Sequence, residues 1–197
     1  MAVLSRRERT LETRRANETA LLRAAVELLD EGASFAGLGI EQIVKRAGLS
    51  RPTFYAYFED KRALVLRLGE LVEHDLAQAA DPWLAGAGVP MRDTLAAVLA
   101  VFRAHRAALG AVVESATYDD DVAAFWRAFH DRFLPGAQRR IAEAYPDMGD
   151  DAVAARAYAL VWMTERTLVE HVMRPTVDEQ ALLDQLTWVW RMAATRA

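Results

Sequence analysis

Cysteine is absent from the 197-residue chain, which excludes disulfides and thiolate metal sites. Long apolar runs are missing too. No stretch of about 18 apolar residues occurs, so no segment is expected to span a membrane. The four histidines, His74, His105, His130 and His171, keep none of the short intervals that zinc ligands require. The opening MAVLSRRERTLETRR lacks the apolar core of a secretory signal. Also lacking are a glycine-rich phosphate loop, a Ser-His-Asp arrangement and paired catalytic carboxylates, so neither an enzyme nor a bound cofactor is expected. Asp119-Asp120-Asp121 reads instead as the acidic start of a helix. A cytoplasmic protein with no membrane partner is the expectation these absences leave.

What is present is apolar residues, 53% of the chain, against 26% charged. That suffices for one core, or for a small domain docked on a larger one. The net charge of −4 hides an asymmetry: residues 1–67 carry +3 and the remainder −7. A basic end on an acidic body suits a protein that presents one end to a polyanion.

The hydrophobic pattern is helical throughout, without sustained period-2 alternation. Ala20, Leu21, Ala24, Ala25, Leu28 and Leu29 form a stripe over 17–31, ended by Gly32. Ile40, Ile43, Val44 and Ala47 share a face over 40–47. Gly48-Leu49 then turns, and Ser50 caps a short helix predicted to end near Phe58-Glu59. Asp60 caps a longer helix to about Ala79, striped by Leu64, Leu68, Leu71 and Val72. Asp81-Pro82 and Gly86–Pro90 read as the first linker. Further helices are expected at about 91–104, 106–116, 121–143, 150–172 and 178–195. The domain reading is a basic flexible arm over 1–16, a DNA-binding domain over 17–62 and a helical ligand-binding and dimerisation domain over 63–197.

The segment from Ile40 to Phe58 carries the strongest functional signal. A striped helix, a glycine turn and a capped second helix make the local pattern of a helix-turn-helix. At about 100° per residue, Phe54 and Phe58 fall on one side of the second helix as anchors. Opposite them lie Pro52, Thr53 and Ala56, compact enough to let the helix sink into a major groove. Tyr55 and Tyr57 fall on the flanks, where their hydroxyls could reach phosphates. Arg51, in the first turn, could read guanine with both arms, and Thr53 offers a methyl and a hydroxyl to a base edge. Lys61, at the start of the next helix, is a candidate phosphate clamp beside unpaired backbone N–H groups.

The run Ala47-Gly48-Leu49-Ser50, Arg51 to Phe58, Glu59-Asp60-Lys61 and Leu64 resembles the DNA-binding domain of TetR-family regulators over about residues 17–66. The resemblance implies an all-α repressor. Three N-terminal helices would bind double-stranded DNA at a palindromic operator, and a larger helical domain would sense a ligand and form a homodimer. It also implies DNA contacts at Arg51, Thr53, Tyr55, Tyr57 and Lys61. One departure is Leu38-Gly39-Ile40, where family members often place Ser or Thr; a contact there would have to come from a backbone N–H. Arg6-Arg7 and Arg14-Arg15 could form a mobile arm along phosphates or the minor groove.

Beyond residue 100 aromatics accumulate: Phe102, Phe125, Trp126, Phe129, Phe133, Trp162, Trp188 and Trp190. Such a stripe is ordinary core, or it walls an apolar pocket. Trp162-Met163-Thr164-Glu165-Arg166-Thr167-Leu168, with Trp188-Val189-Trp190, is similar to the EthR-type branch of the family. That branch implies an elongated apolar or aromatic effector, with Trp126, Phe129, Phe133, Met163, Thr164 and Trp190 around it; Trp162 lies in the same segment. Phe102 and His105 join by proximity. Glu165 and Arg166 are expected to form an ion pair. The last two helices carry surplus apolar residues (Ala154, Ala157, Tyr158, Val161, Leu168 and Val172, then Leu182, Leu183, Leu186, Trp188, Val189 and Met192), which would pair across a two-fold axis. The rival reading is a helical small-molecule carrier with no DNA-binding role.

Overall fold

The computed structural model describes residues 6–194 as ten α-helices, with no strand among them. Helices α1 (Arg6–Asp30), α2 (Ile40–Ala47) and α3 (Arg51–Tyr55) form a head, and α4 (Lys61–Leu84) leads out of it. The body comprises α5 (Met91–Ala104), α6 (Arg106–Ser115), α7 (Asp120–Asp131), α8 (Leu134–Ala144), α9 (Asp150–Met173) and α10 (Glu179–Ala194).

Helix ends follow local chemistry. Gly48 adopts φ +67° after α2, a left-handed turn that costs glycine nothing, and the Leu49 N–H returns to the Val44 carbonyl at 2.9 Å. The Ser50 hydroxyl oxygen accepts from the Thr53 N–H at 3.2 Å and starts α3. Asp60 does the same for α4 through Ala63 at 2.8 Å. Asp119 accepts from Asp121 and Val122, both at 3.1 Å, so the acidic cluster starts α7 as expected.

Four boundaries differ from the sequence reading. Helix α1 begins at Arg6, so the expected arm is helical from there on; residues 1–5 lie outside the described residues. No glycine or proline interrupts that stretch, and good helix formers fill it. Helix α3 tightens into a turn at Ala56-Tyr57, short of Phe58. Helix α4 runs through Pro82 to Leu84 and buries Trp83, so Asp81-Pro82 is not a linker. The helix expected over 121–143 is broken into α7 and α8, because Pro135 has no N–H for the Asp131 carbonyl and its ring crowds that turn.

Two apolar clusters hold the molecule. The first joins Leu21, Ala25, Leu38, Ile43, Phe54, Phe58, Leu64 and Leu68 to Ala108, Ala111, Val112 and Val122 from α6 and α7. The second gathers Leu76, Trp83, Leu95, Phe102, Phe129, Ile141, Leu168 and Trp190. The core therefore changes hands midway along α4, not at residue 63. At Gly69 the ring of Phe125 lies so close that an added Cβ would meet its Cε1 at 2.5 Å. Glycine is what lets α7 pack onto α4 there.

Candidate DNA-contacting face and ligand pocket

Phe54 is fully buried and Phe58 nearly so, which turns the opposite side of α3 outward. Each such burial contributes about 1.5–3 kcal/mol. Arg51, Pro52, Tyr55 and Ala56 are exposed, and Thr53 is half-buried. Arg51 donates to Glu41 Oε1 at 3.1 Å and to the Tyr55 hydroxyl at 3.2 Å. These hydrogen bonds, the one to Tyr55 foremost, hold the guanidinium above its ordinary pKa. The Tyr55 hydroxyl only accepts here, which leaves its hydrogen to donate. Thr53 Oγ1 sits 2.7 Å from Ser50 Oγ.

Tyr57 departs from expectation. It is half-buried in the turn after α3, its hydroxyl accepts from Asn17 Nδ2 at 3.3 Å, and Arg14 lies over its ring at 5.9 Å. Lys61 departs further. Its ammonium donates to the carbonyls of Phe35, Ala36 and Leu38 at 2.7, 3.1 and 2.7 Å. An ammonium has three hydrogens, so none remains for a phosphate. Asp60 also occupies the N–H of Ala63, placing an anion where a phosphate would have to approach. Lys61 is a fastener of the 35–38 loop rather than a free clamp. Burial, partly offset by Glu114, holds its pKa below the usual lysine value.

A cavity of about 90 Å³ lies in the body, among α4, α5, α7, α9 and α10. Of the expected residues, Phe102, Phe129, Phe133, Thr164 and Trp190 line it. Trp126, Met163 and Trp162 do not. Val161, Thr164 and Glu165 form the stripe of α9 that faces the cavity, which leaves residues 162 and 163 on other sides. Trp162 instead stacks on the His130 ring at 3.8 Å. Trp126 stacks on Phe129 at 4.8 Å and packs against both apolar clusters. His105 is held by Asp75 at 2.7 Å, away from the lining. Glu165 does not pair with Arg166. It lies 3.2 Å from His130, while Arg166 faces Glu170 at 3.7 Å, since adjacent helix residues point apart.

The rest of the lining was missed: Leu76, Ala80, Trp83 and Leu84 of α4, Met91, Thr94, Leu95 and Val98 at α5, His130 and Glu165, and Val161, which the sequence reading places in the dimer interface. In sequence, Ala80, Trp83 and Leu84 fall beyond the helix end expected near Ala79, beside the expected linker, and the α5 residues carry no sign of a cavity. A buried histidine and a buried glutamate give no local signal until the fold brings them together.

The family description "Bacterial regulatory proteins, tetR family" matches residues 21–68. "Transcriptional regulator EthR, C-terminal domain" matches residues 91–194, more than half of the chain. The chain belongs to the TetR family. Within that family, it is 32% identical to the HTH-type transcriptional regulator EthR of Mycobacterium tuberculosis over 192 residues, covering 88% of this chain and 84% of the relative. To EthR of Mycolicibacterium smegmatis it is 28% identical over 182 residues, covering 88% and 83%. A TetR-like transcriptional regulator from Rhodococcus sp. RHA1 shares the fold at TM-score 0.67 and 22% identity, covering 98% of this chain and 100% of that one. A TetR-family regulator from Syntrophomonas wolfei does so at TM-score 0.72 and 15% identity, covering 92% and 96%. The protein is therefore an all-α, DNA-binding transcriptional regulator, not an enzyme, and the carrier reading is set aside. No single helix among the described residues is long and apolar enough to cross a membrane.

In this TetR-family chain, head and pocket share α4: its first turn fastens the head loop through Lys61, and its last turns wall the cavity. A second tie comes from α6, where Glu114 accepts from the N–H groups of Phe35 and Ala36, both at 2.9 Å. The 35–38 loop is thus clasped between a cation on its carbonyls and an anion on its N–H groups.

Proposed function

We propose that a homodimer of this chain occupies a palindromic operator through two copies of α3, and that an apolar effector in the body cavity releases it. Pro52, Thr53 and Ala56 face the groove, with Arg51 at a base edge and Tyr55 on a phosphate. Tyr57 contributes its free phenolic hydrogen from the flank, held in place by Asn17. Lys61 acts from behind, by fixing the loop that precedes α2. The observation carrying this reading is the outward compact side of α3, joined by one continuous helix to an aromatic-lined cavity. The Arg51–Glu41 pair is exposed on both sides and screened by water, so it exchanges easily for a guanine.

A cavity of about 90 Å³ is smaller than the roughly 150 Å³ that accepts benzene, so an effector has to widen it. Widening displaces α4 and α5, and α4 carries that displacement to the head. Release requires tighter effector binding to the DNA-incompetent state. Dimerisation is assigned to the outer sides of α9 and α10, where Tyr158, Trp188 and Met192 are 55, 59 and 61% exposed. Ala157, Leu168, Leu183 and Leu186 are buried within the protomer and take no part.

The test is footprinting on the DNA that flanks the coding region, at several salt concentrations. Protection of an inverted repeat, with affinity falling steeply as salt rises, is the expected result. Equal affinity for that DNA and for a random duplex would overturn the operator reading.

A further inference from the structure

The cavity wall is apolar except for Thr94, whose hydroxyl is spent on the Pro90 carbonyl at 3.2 Å, and for Glu165, His130 and Thr164 beside Trp190. His130 is 1% exposed and Glu165 8% exposed. His130 Nδ1 lies 2.6 Å from the Trp126 carbonyl oxygen, which can only accept, so Nδ1 carries a hydrogen. Nε2 lies 3.2 Å from Glu165 Oε2. The approach is too oblique for a hydrogen bond, and Nε2 is left buried without an aligned partner. The other carboxyl oxygen of Glu165 has no partner among the described residues. Thr164 Oγ1 accepts the Trp190 indole N–H at 2.8 Å and keeps its own hydrogen to donate.

We propose that the effector is an uncharged apolar chain whose head donates a hydrogen, an alcohol or a primary carboxamide, accepted by Glu165 while Thr164 donates back to the head's oxygen. This assignment rests on the cavity being the effector site. A carboxylate head brings only acceptors to an acceptor, and a charge into an apolar cavity. An alkylammonium head can donate, but it brings a strongly hydrated charge into an apolar cavity whose one carboxyl already faces His130. An ether accepts from Thr164 and offers Glu165 nothing.

The experiment is calorimetric titration of the full-length protein with hexan-1-ol, hexanamide, 1-methoxyhexane, hexylammonium and hexanoate. The expected ranking places alcohol and amide about tenfold or more ahead of the other three. In Glu165→Leu the advantage of alcohol over ether should fall to within about twofold. Glu165→Gln keeps an acceptor oxygen at that place, and should keep the advantage even if the leucine variant does not fold. Hexanoate or hexylammonium binding best, no discrimination among heads, or loss of the advantage in Glu165→Gln would overturn the head-group proposal alone. Filling the cavity with Val98→Trp should abolish binding of all five. Binding that survives in that variant, or wild-type binding of none, overturns the cavity as effector site and the head-group proposal with it.

Discussion

Arg51 and Tyr55 are bonded to each other in the free head, yet they serve different ends. A guanidinium in the first turn of α3 offers two parallel donors, which match the two acceptors that guanine presents in the major groove. A phenol on the flank offers one donor, which any phosphate accepts. Arg51→Ala is therefore expected to lower operator affinity by about 1–3 kcal/mol and to relax preference at one base pair. Tyr55→Phe should weaken operator and random duplex alike, by about 0.5–1.5 kcal/mol. Competition binding with single-base operator variants separates the two; equal losses on every duplex for Arg51→Ala would remove it from base reading. Lys61 shows how far residue type alone carries such an argument. A lysine at a helix start reads as a phosphate ligand, but three loop carbonyls lie within reach of its ammonium and take all of its hydrogens.

Helix by helix, two side chains fasten the 35–38 loop to the elements outside the head. Lys61 fastens it from α4 and Glu114 from α6. Glu114→Ala leaves the Phe35 and Ala36 N–H groups without their acceptor, one of them partly buried. The expected outcome is a loss of about 1.5–3 kcal/mol in stability. Operator affinity should fall with it although Glu114 touches no DNA. Thermal unfolding together with operator titration checks this; unchanged affinity in a destabilised protein would show that the clasp does not position α2 and α3. Gly69 is the other sensitive point. Gly69→Ala gains about 1 kcal/mol of helix propensity, but drives a methyl group into Phe125. Overpacking of this kind costs about 1–3 kcal/mol, so the melting temperature should fall or stay level, not rise.

At the scale of the whole molecule, Trp188 and Met192 of α10 and Tyr158 of α9 stay largely exposed in one protomer, although Tyr158 also touches the Trp162 ring at 5.9 Å. Trp188→Glu with Met192→Glu places charges on that surface without touching the buried side of α10. The double variant is expected to run as a monomer in light scattering, with a far-ultraviolet spectrum like the parent's. Its operator affinity should collapse, because a single head forfeits half of the phosphate contacts and the two-site advantage. A double variant that remains dimeric would place the interface elsewhere.

Much of this was legible beforehand from local chemistry. Helix α2 falls at Ile40–Ala47 as its stripe and glycine predicted, and Ser50, Asp60 and Asp119 each start the helix they were expected to start. Such features depend on residues within one turn of each other. The outward side of α3 was legible for the same reason, since Phe54 and Phe58 are one turn apart and both apolar. What the pattern of residues could not decide was which groups separated by tens of positions would meet. Asn17 with Tyr57, Lys61 with the 35–38 carbonyls, His130 with Glu165 and the α4–α5 wall of the cavity all depend on how helices cross. The sequence by itself determined the helices, their caps and the side of α3 that stays in water, because those are settled by short-range sterics and periodicity. Only the tertiary structure decided that Lys61 is occupied and that a histidine–glutamate pair closes one end of an apolar cavity. Burial and long-range hydrogen bonding are properties of packed helices, and a linear pattern does not contain them.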